Sequence, residues 1–450
     1  MTRERPGEPA SRPQLRRELG LRDLVLFNLA AVVGIRWLAA AARAGPSSLA
    51  LWLLAAALFF VPSALAVARL SALWPEHGGL YVWTRRSLGD WHGFLCGWCY
   101  WLSNLFYFPN LLLAGLGIAA YLAGERGQTL SENRTLLVAG SLVVLWVGAV
   151  SNIVGLRVGK WTENLGGLAT YAAGLMLLVS GAVAWRRGAA ATRFDLRWPQ
   201  WDWGTVNFWS QIAFAFGGLE LGAVMGGEIR DPQRTVPRAA WVSGIAIALY
   251  YLAGTAAVLV LVAPENISII TGLAQAGVRA AEITGVSWFG QALAGLVVLG
   301  ITGQLGAWLA GSARIPFVIG LDRYLPAAFA RLHPRWGTPH VAILTQSAVC
   351  TFFLLVMQAG ETLRAGYQLL VDMTVITYFV PFAYMFVVAA RHGLRRSAIA
   401  GLSVTLLAIA VSLAPPEEAR NPWLFEAKLL GGCALVAATA RIMFMRVRRK

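Results

Sequence analysis

Residues 208–239 read FWSQIAFAFGGLELGAVMGGEIRDPQRTVPRA, and this stretch decides the fold. It begins as an apolar span and breaks at Gly217-Gly218. It carries Glu220 just past the break and ends in a charged loop punctuated by Pro232 and Pro237. Lipid offers no hydrogen-bond partners, so a helix inside it has strong reasons to stay whole. A glycine pair beside a lone carboxylate at mid-depth therefore marks a place where the backbone itself handles a solute. The plainer reading is that two glycines let neighbouring helices pack closely. The rest of the chain decides between the two.

Of the 450 residues, 57% are hydrophobic and only 13% are charged, with a mean hydropathy of +0.60. A soluble domain carries about 25% charged residues, so this is an all-α polytopic membrane protein. Runs of 18–25 apolar residues give about twelve spans. They are expected at 22–43, 47–73, 91–122, 134–153, 162–185 and 205–227 in the first half. The second half gives 237–263, 287–318, 339–358, 366–390, 396–413 and 426–445. Residues 1–20, polar and basic with several prolines, read as a disordered cytoplasmic tail. A ten-helix core is expected over 21–390, followed by two further helices and a basic C-terminus over 391–450.

The net charge of +16 invites a nucleic-acid reading, and its distribution argues against one. With the amino terminus inside, about 26 of the 38 lysines and arginines fall on the inner side. Arg186, Arg187, Arg193 and Arg197 are the exception. The positive charge then faces anionic lipid headgroups, so membrane lipids are expected partners and nucleic acid is not. Both termini are expected to be cytoplasmic in a multi-pass cell-membrane protein. Cys96 and Cys99 form a CxxC within the apolar run CGWCYW and read as small packing residues. The histidines, His77, His92, His333, His340 and His392, lie in or beside loops without metal-ligand spacing. No catalytic motif or phosphate loop is present, so no enzyme, catalytic residue, metal or cofactor is expected.

Arg36, in NLAAVVGIRWLAAAARAGP, is the oddest residue of the first span. An arginine at mid-depth costs at least about 2.5–3.5 kcal/mol, so it must face a partner or a watery cavity. Gly34, two residues before it, is a natural place for the helix to loosen. The acids within the spans that could pair with Arg36 are Glu220 and Asp372. Otherwise the guanidinium fork suits a substrate carboxylate. Asn104 and Tyr107 on the third span are candidates for a polar pathway, with Asp372 as a further candidate. Trp308 is too deep for an interface anchor and reads as core or pocket wall.

Three stretches resemble the amino acid–polyamine–organocation (APC) superfamily of transporters. They are SALWPEHGGLYVWTRRSLGDWHGFLCGWCYW (71–101), FAFGGLELGAVMGGEIRDPQRTVPRA (214–239) and GAWLAGSARIPFVIGLDRYLPAAFARLHPRWGTPHVAIL (306–344). The third and eighth helices are most similar to the glutamate/γ-aminobutyrate-type antiporter branch. The resemblance implies a leucine-transporter-like fold of two inverted five-helix repeats, with helices 1 and 6 broken at a central site. By position, Gly217 and Gly218 match the unwound part of helix 6. Phe214 matches an aromatic gate, Glu220 the acid beyond it, and Trp308 a pocket aromatic. Where relatives carry a G-S/A-G-like turn, this chain has Gly34-Ile35-Arg36-Trp37, so Arg36 is expected to replace part of that anion site. Thr170 stands near the position of a lysine found in proton-coupled relatives, which leaves exchange or facilitated flux as the expected mode.

The implied function is secondary active or exchange transport of amino acids across the cytoplasmic membrane by alternating access. The expected substrate is a small molecule, an amino acid or amine, and a homodimer is compatible with these features. A polyamine or organic-cation carrier is the alternative if Glu220 and Asp372 face the cavity. A non-transporting sensor that keeps the fold is the other.

Overall fold

The computed structural model describes residues 17–448 except 195–197, 200, 202, 269–270, 360–362 and 414–421. The described residues are almost wholly helical. The first half of the chain holds α1 (Leu21–Val32), α2 (Arg36–Ala42), α3 (Ser47–Leu73), α4 (Leu80–Leu88), α5 (Asp90–Ala119), α6 (Gly127–Glu132), α7 (Arg134–Val154) and α8 (Leu156–Arg186). Then come α9 (Trp203–Ala215), α10 (Leu219–Val224), α11 (Pro232–Leu261), α12 (Gly272–Thr284) and α13 (Phe289–Leu321). Last are α14 (His340–Ala359), α15 (Leu363–Arg391), α16 (Arg395–Ser412) and α17 (Pro422–Arg448).

Every expected span coincides with a helix. Among the described residues nine helices are long and apolar enough to cross a membrane, or ten if the bent pair α1–α2 is one span. The other two expected spans are the broken α9–α10 and α14, whose apolar part His340–Val356 is shorter. Two expectations need correction. The tail cannot extend to residue 20: Glu18 and Leu19 donate their amides to Glu228 O at 2.9 and 3.0 Å, and Arg230 N donates to Leu19 O at 2.9 Å. Residues 1–16 lie outside the described residues. In addition, α12 is an unforeseen helix, because its apolar face covers only one side of a piece too short to span.

Helix 1 bends by 46° between α1 and α2. Its last carbonyls lose their partners, and side chains from other helices replace them. Ala31 O accepts from Gln304 Nε2 at 3.0 Å and from Trp308 Nε1 at 2.8 Å, both on α13. Tyr251 on α11 serves both breaks: its hydroxyl lies 2.7 Å from Val32 O and 2.9 Å from Ala215 O, and accepts from Gly34 N at 3.1 Å. Its ring is fully buried and stacks on Trp52, with centroids 4.3 Å apart. The second break has its own cause. Gly218 adopts φ 125, a region open to glycine and strained for other residues. A methyl group on Gly217 would lie 2.6 Å from the Tyr378 ring.

The loop side is fastened separately. Arg314 on α13 grips Glu228 at 2.8 Å (Nε–Oε1) and 3.1 Å (Nη2–Oε2), with both residues 2% exposed. Tyr81 on α4 donates to Asp322 Oδ2 at 2.8 Å, and Arg85 bridges Asp90 and Asp322. Burial, then the Asp322 charge, pushes the Tyr81 hydroxyl well above its ordinary value. Cys96 accepts from Thr84 at 3.4 Å and lies 3.6 Å from Leu80 O, so it ties α5 to α4.

Tyr251→Phe removes the one hydroxyl shared by both breaks. Each buried polar group left without a partner costs about 1–3 kcal/mol. The variant is expected to unfold at a clearly lower temperature in detergent than the wild type. An unchanged midpoint would show that the breaks do not depend on Tyr251.

Candidate functional site

A cavity opens where the two breaks face one another. It is lined by Ala31 and Val32 of α1, Trp37 of α2, Ser103, Asn104 and Tyr107 of α5, Phe214 and Ala215 of α9, Gly217, Trp308 of α13, and Thr374 and Tyr378 of α15. The cavity is narrow in this conformation, about 20 Å³, which is room for about one water molecule. Five of these twelve residues are aromatic. Phe214 meets Tyr378 edge-on at 5.2 Å and Trp37 at 5.8 Å, and Trp308 meets Tyr107 at 5.7 Å and Tyr378 at 6.0 Å.

Next to this cavity three helices are tied together through one carboxylate. Glu220 Oε1 accepts from Tyr100 of α5 at 2.9 Å and from Tyr378 of α15 at 2.6 Å. Its Oε2 accepts from Gly218 N at 3.0 Å. Glu220 is 1% exposed, so these three hydrogen bonds replace water for an acid that lipid could not hold. Of the two acids that could pair with Arg36, Glu220 is thus engaged by two phenols and an amide.

The expected residues separate into layers. Phe214, Gly217, Trp308, Asn104 and Tyr107 line the cavity. Gly218 and Glu220 stand directly behind it, and a methyl on Gly218 would meet Val32 and Trp308. Gly34 and Ile35 form the link between α1 and α2. Arg36 lies behind the wall, its guanidinium carbon 4.7 Å from the Trp37 ring centre and 5.3 Å from that of Tyr107. Asp372, also buried, sits on α15 outside the lining. Trp308 combines two roles, since its ring is wall and its indole N–H holds Ala31 O. Thr170 is buried on α8 against Gly300, and its carbonyl accepts from Tyr250 at 2.9 Å.

Sequence reasoning missed Tyr100, Tyr378, Tyr251 and Gln304. The first two lie in CGWCYW and TVITYFVPF, where a tyrosine reads as one more apolar ring. The usable signal was a hydroxyl far from either end of its span, which needs a partner. Asn104 carries a comparable need: its Nδ2 donates to Tyr100 O at 2.7 Å, while its buried Oδ1 has no partner among the described residues.

A polytopic helical protein with two broken spans around a central cavity has the architecture of a membrane carrier. Residues 19–416 match the family described as amino acid permease, and the chain belongs to that family. Its function class is amino acid transport, in agreement with the resemblance to the APC superfamily. An uncharacterized transporter of Legionella pneumophila is 28% identical over 441 residues, covering 93% of this chain and 94% of the relative. A serine/threonine exchanger of Bacillus subtilis is 26% identical, covering 82% and 83%. A probable agmatine/putrescine antiporter of Lactococcus lactis is 24% identical, covering 70% and 67%.

Gly217→Ala pushes a methyl into the Tyr378 ring and is expected to lower transport at least about tenfold, the equivalent of 1.4 kcal/mol. Gly431→Ala, where the added methyl meets nothing within 4 Å, serves as the control that keeps wild-type flux. Equal fluxes in the two variants would place the transport path elsewhere.

Proposed function

We propose that the protein exchanges neutral, zwitterionic amino acids by alternating access about this cavity. The observation that carries the reading is the lining itself: aromatic walls, three neutral polar side chains (Ser103, Asn104, Thr374), and no acid. The α-amino and α-carboxylate groups of the substrate meet the main chain at the two breaks. Its side chain lies among Trp37, Phe214, Trp308 and Tyr378. The Tyr100–Glu220–Tyr378 bridge is the closure on the side of the 226–231 loop, and it must separate for a substrate to leave that way. We place that side in the cytoplasm together with both termini. The ten helices over 21–390 act as two inverted five-helix units.

The amine reading is less favourable for a physical reason. A diamine needs a carboxylate for its second ammonium, and Glu220 is committed to three donors. The serine/threonine exchanger among the relatives supports a small neutral substrate and an exchange mode. Arg36 acts from behind Trp37 and Tyr107, and we assign it a share in attracting the substrate carboxylate.

The test is counterflow in proteoliposomes, with labelled serine, leucine, glutamate, arginine or putrescine outside and an amino acid pool inside. Uptake of serine or leucine that requires the internal pool is the expected outcome. Uptake of putrescine alone would overturn the neutral-substrate reading, and gradient-driven uptake into empty vesicles would overturn exchange. Arg36→Ala is expected to raise the half-saturating substrate concentration about three- to tenfold, on the order of 1 kcal/mol of lost interaction. Unchanged affinity for every substrate would remove Arg36 from carboxylate recognition.

A further inference from the structure

Glu163 lies near the start of α8 and is 2% exposed, yet its Oε1 has no hydrogen-bond partner among the described residues. Its surroundings are tight. Helices α8 and α13 approach so closely that a methyl on Gly166 would lie 2.5 Å from Gly303 Cα. A methyl on Gly159 would be 3.6 Å from Glu163 Oε1 and 3.8 Å from Asn152 Oδ1, so the carboxyl and that amide oxygen border one small space between α7 and α8. A methyl on Gly306 of α13 would lie 3.9 Å from the same carboxyl oxygen.

The charges acting on Glu163 are Arg314 and Glu228. In this conformation they neutralise one another through two hydrogen bonds, and Arg314 Nη1 also donates to Ala310 O at 2.5 Å. That last bond turns the guanidinium back along α13, about one helical turn (roughly 6 Å) from the level of Gly306 and Glu163. His77, packed against Gly227, is not a second cation for the site. Burial pulls its imidazole below the ordinary value, with the Glu228 charge acting the other way. A buried carboxylate with no cation to itself costs several kcal/mol, and a bound proton removes that cost.

We propose that Glu163 is a proton-binding site of the transport cycle. It is loaded while Arg314 is held by Glu228 and unloaded when that pair separates and Arg314 turns to Glu163. Two carboxylates thus compete for one guanidinium, and the proton sits on whichever conformation leaves Glu163 without it. Glu228 belongs to the segment that follows α10 and Arg314 to α13. Any movement of the broken sixth helix away from α13 therefore pulls on this pair. By linkage, low pH favours the conformation described here, and rising pH favours the one in which the pair is open. The proton leaves to water on the side of the 226–231 loop. Thr170 stands near the position of the relatives' lysine, and Glu163, seven residues earlier and so about 10 Å away along the same face of α8, is the ionisable group we place in the cycle instead.

The first test needs no substrate. Hydrogen exchange of amides 226–231, corrected for the intrinsic effect of pH, is followed in the purified full chain between about pH 5.5 and 8.5. In the wild type, protection is expected to fall about tenfold as the pH rises, one decade per proton-linked pH unit. Glu163→Gln is expected to abolish the dependence, and Glu163→Asp, which keeps the carboxyl, to retain it. Equal pH dependence in wild type and Glu163→Gln would overturn the proposal. If Glu163→Gln fails to fold, the wild type and Glu163→Asp decide it: protection independent of pH in both is the overturning result. The second test follows amino acid exchange in vesicles held at equal internal and external pH. A wild-type exchange rate that varies with pH and a Glu163→Gln rate that does not are expected, and a wild-type rate as independent of pH as that of Glu163→Gln would overturn the coupling. If no amino acid is exchanged at all, the neutral-substrate reading fails, while hydrogen exchange still decides the fate of Glu163.

Discussion

One phenolic hydroxyl allows two helices to be broken at the same depth of a membrane protein. Tyr251 OH touches Val32 O, Gly34 N and Ala215 O, so it stands at the crossing of the first and sixth spans. In water these groups would find partners at no design cost. In hydrocarbon each orphan costs several kcal/mol, and an interrupted span survives only where protein atoms replace the lost bonds. Gln304 and Trp308 complete the repair from α13, both on Ala31 O. The central cavity exists because these side chains hold main chain open that would otherwise close into continuous helix.

This explains why the site is built on α13 and α11 as much as on the broken helices. A hydroxyl on α11 and an amide and indole on α13 fix where α1 ends, and with it the position of Ala31 and Val32 in the cavity wall. Trp308 cannot serve as a freely swinging gate while its N–H holds Ala31 O at 2.8 Å. The rings of Phe214 and Tyr378 have no comparable anchor to α1, and Tyr378 is held through Glu220 instead. The wall therefore has a fixed side on α13 and a side that depends on a carboxylate bridge.

The membrane class, the positions of the apolar spans and the two breaks were legible because they follow from local chemistry. Apolar length fixes a span, and Gly217-Gly218 and Gly34 mark where backbone departs from helix. Partner choice was not legible. Glu220 has the same sequence surroundings whether it meets Arg36 or two tyrosines, and the decision lies in helices 120 and 158 residues away along the chain. The tail misled for a related reason. Leu19 looks like the end of a polar segment, and only the presence of Ile229 beside it, in a parallel bridge, makes it buried. Short polar motifs announce that a partner exists; they do not say which one.

Two fastenings lie in series along α10 and the segment after it. Glu220 at the start of α10 holds α5 and α15, and Glu228 just past its end holds α13. Gly78 N donates to Val224 O between them, at 3.0 Å. Three residues separate the end of α10 from Glu228, so a tilt of α10 that frees Glu220 also bears on the Glu228–Arg314 pair. Each is buried, and each exchanges protein donors for water when it parts. Exposing both together concentrates the hydration gain in one step, which favours two end states over a series of partly open ones. A carrier benefits from that sharpness, since partial opening on one side while the other is open would leak solute. The sixth span thus does two things at once: its break leaves main chain at Ala215 and Gly217 beside the cavity, and its remainder with the segment after it carries the two buried acids Glu220 and Glu228.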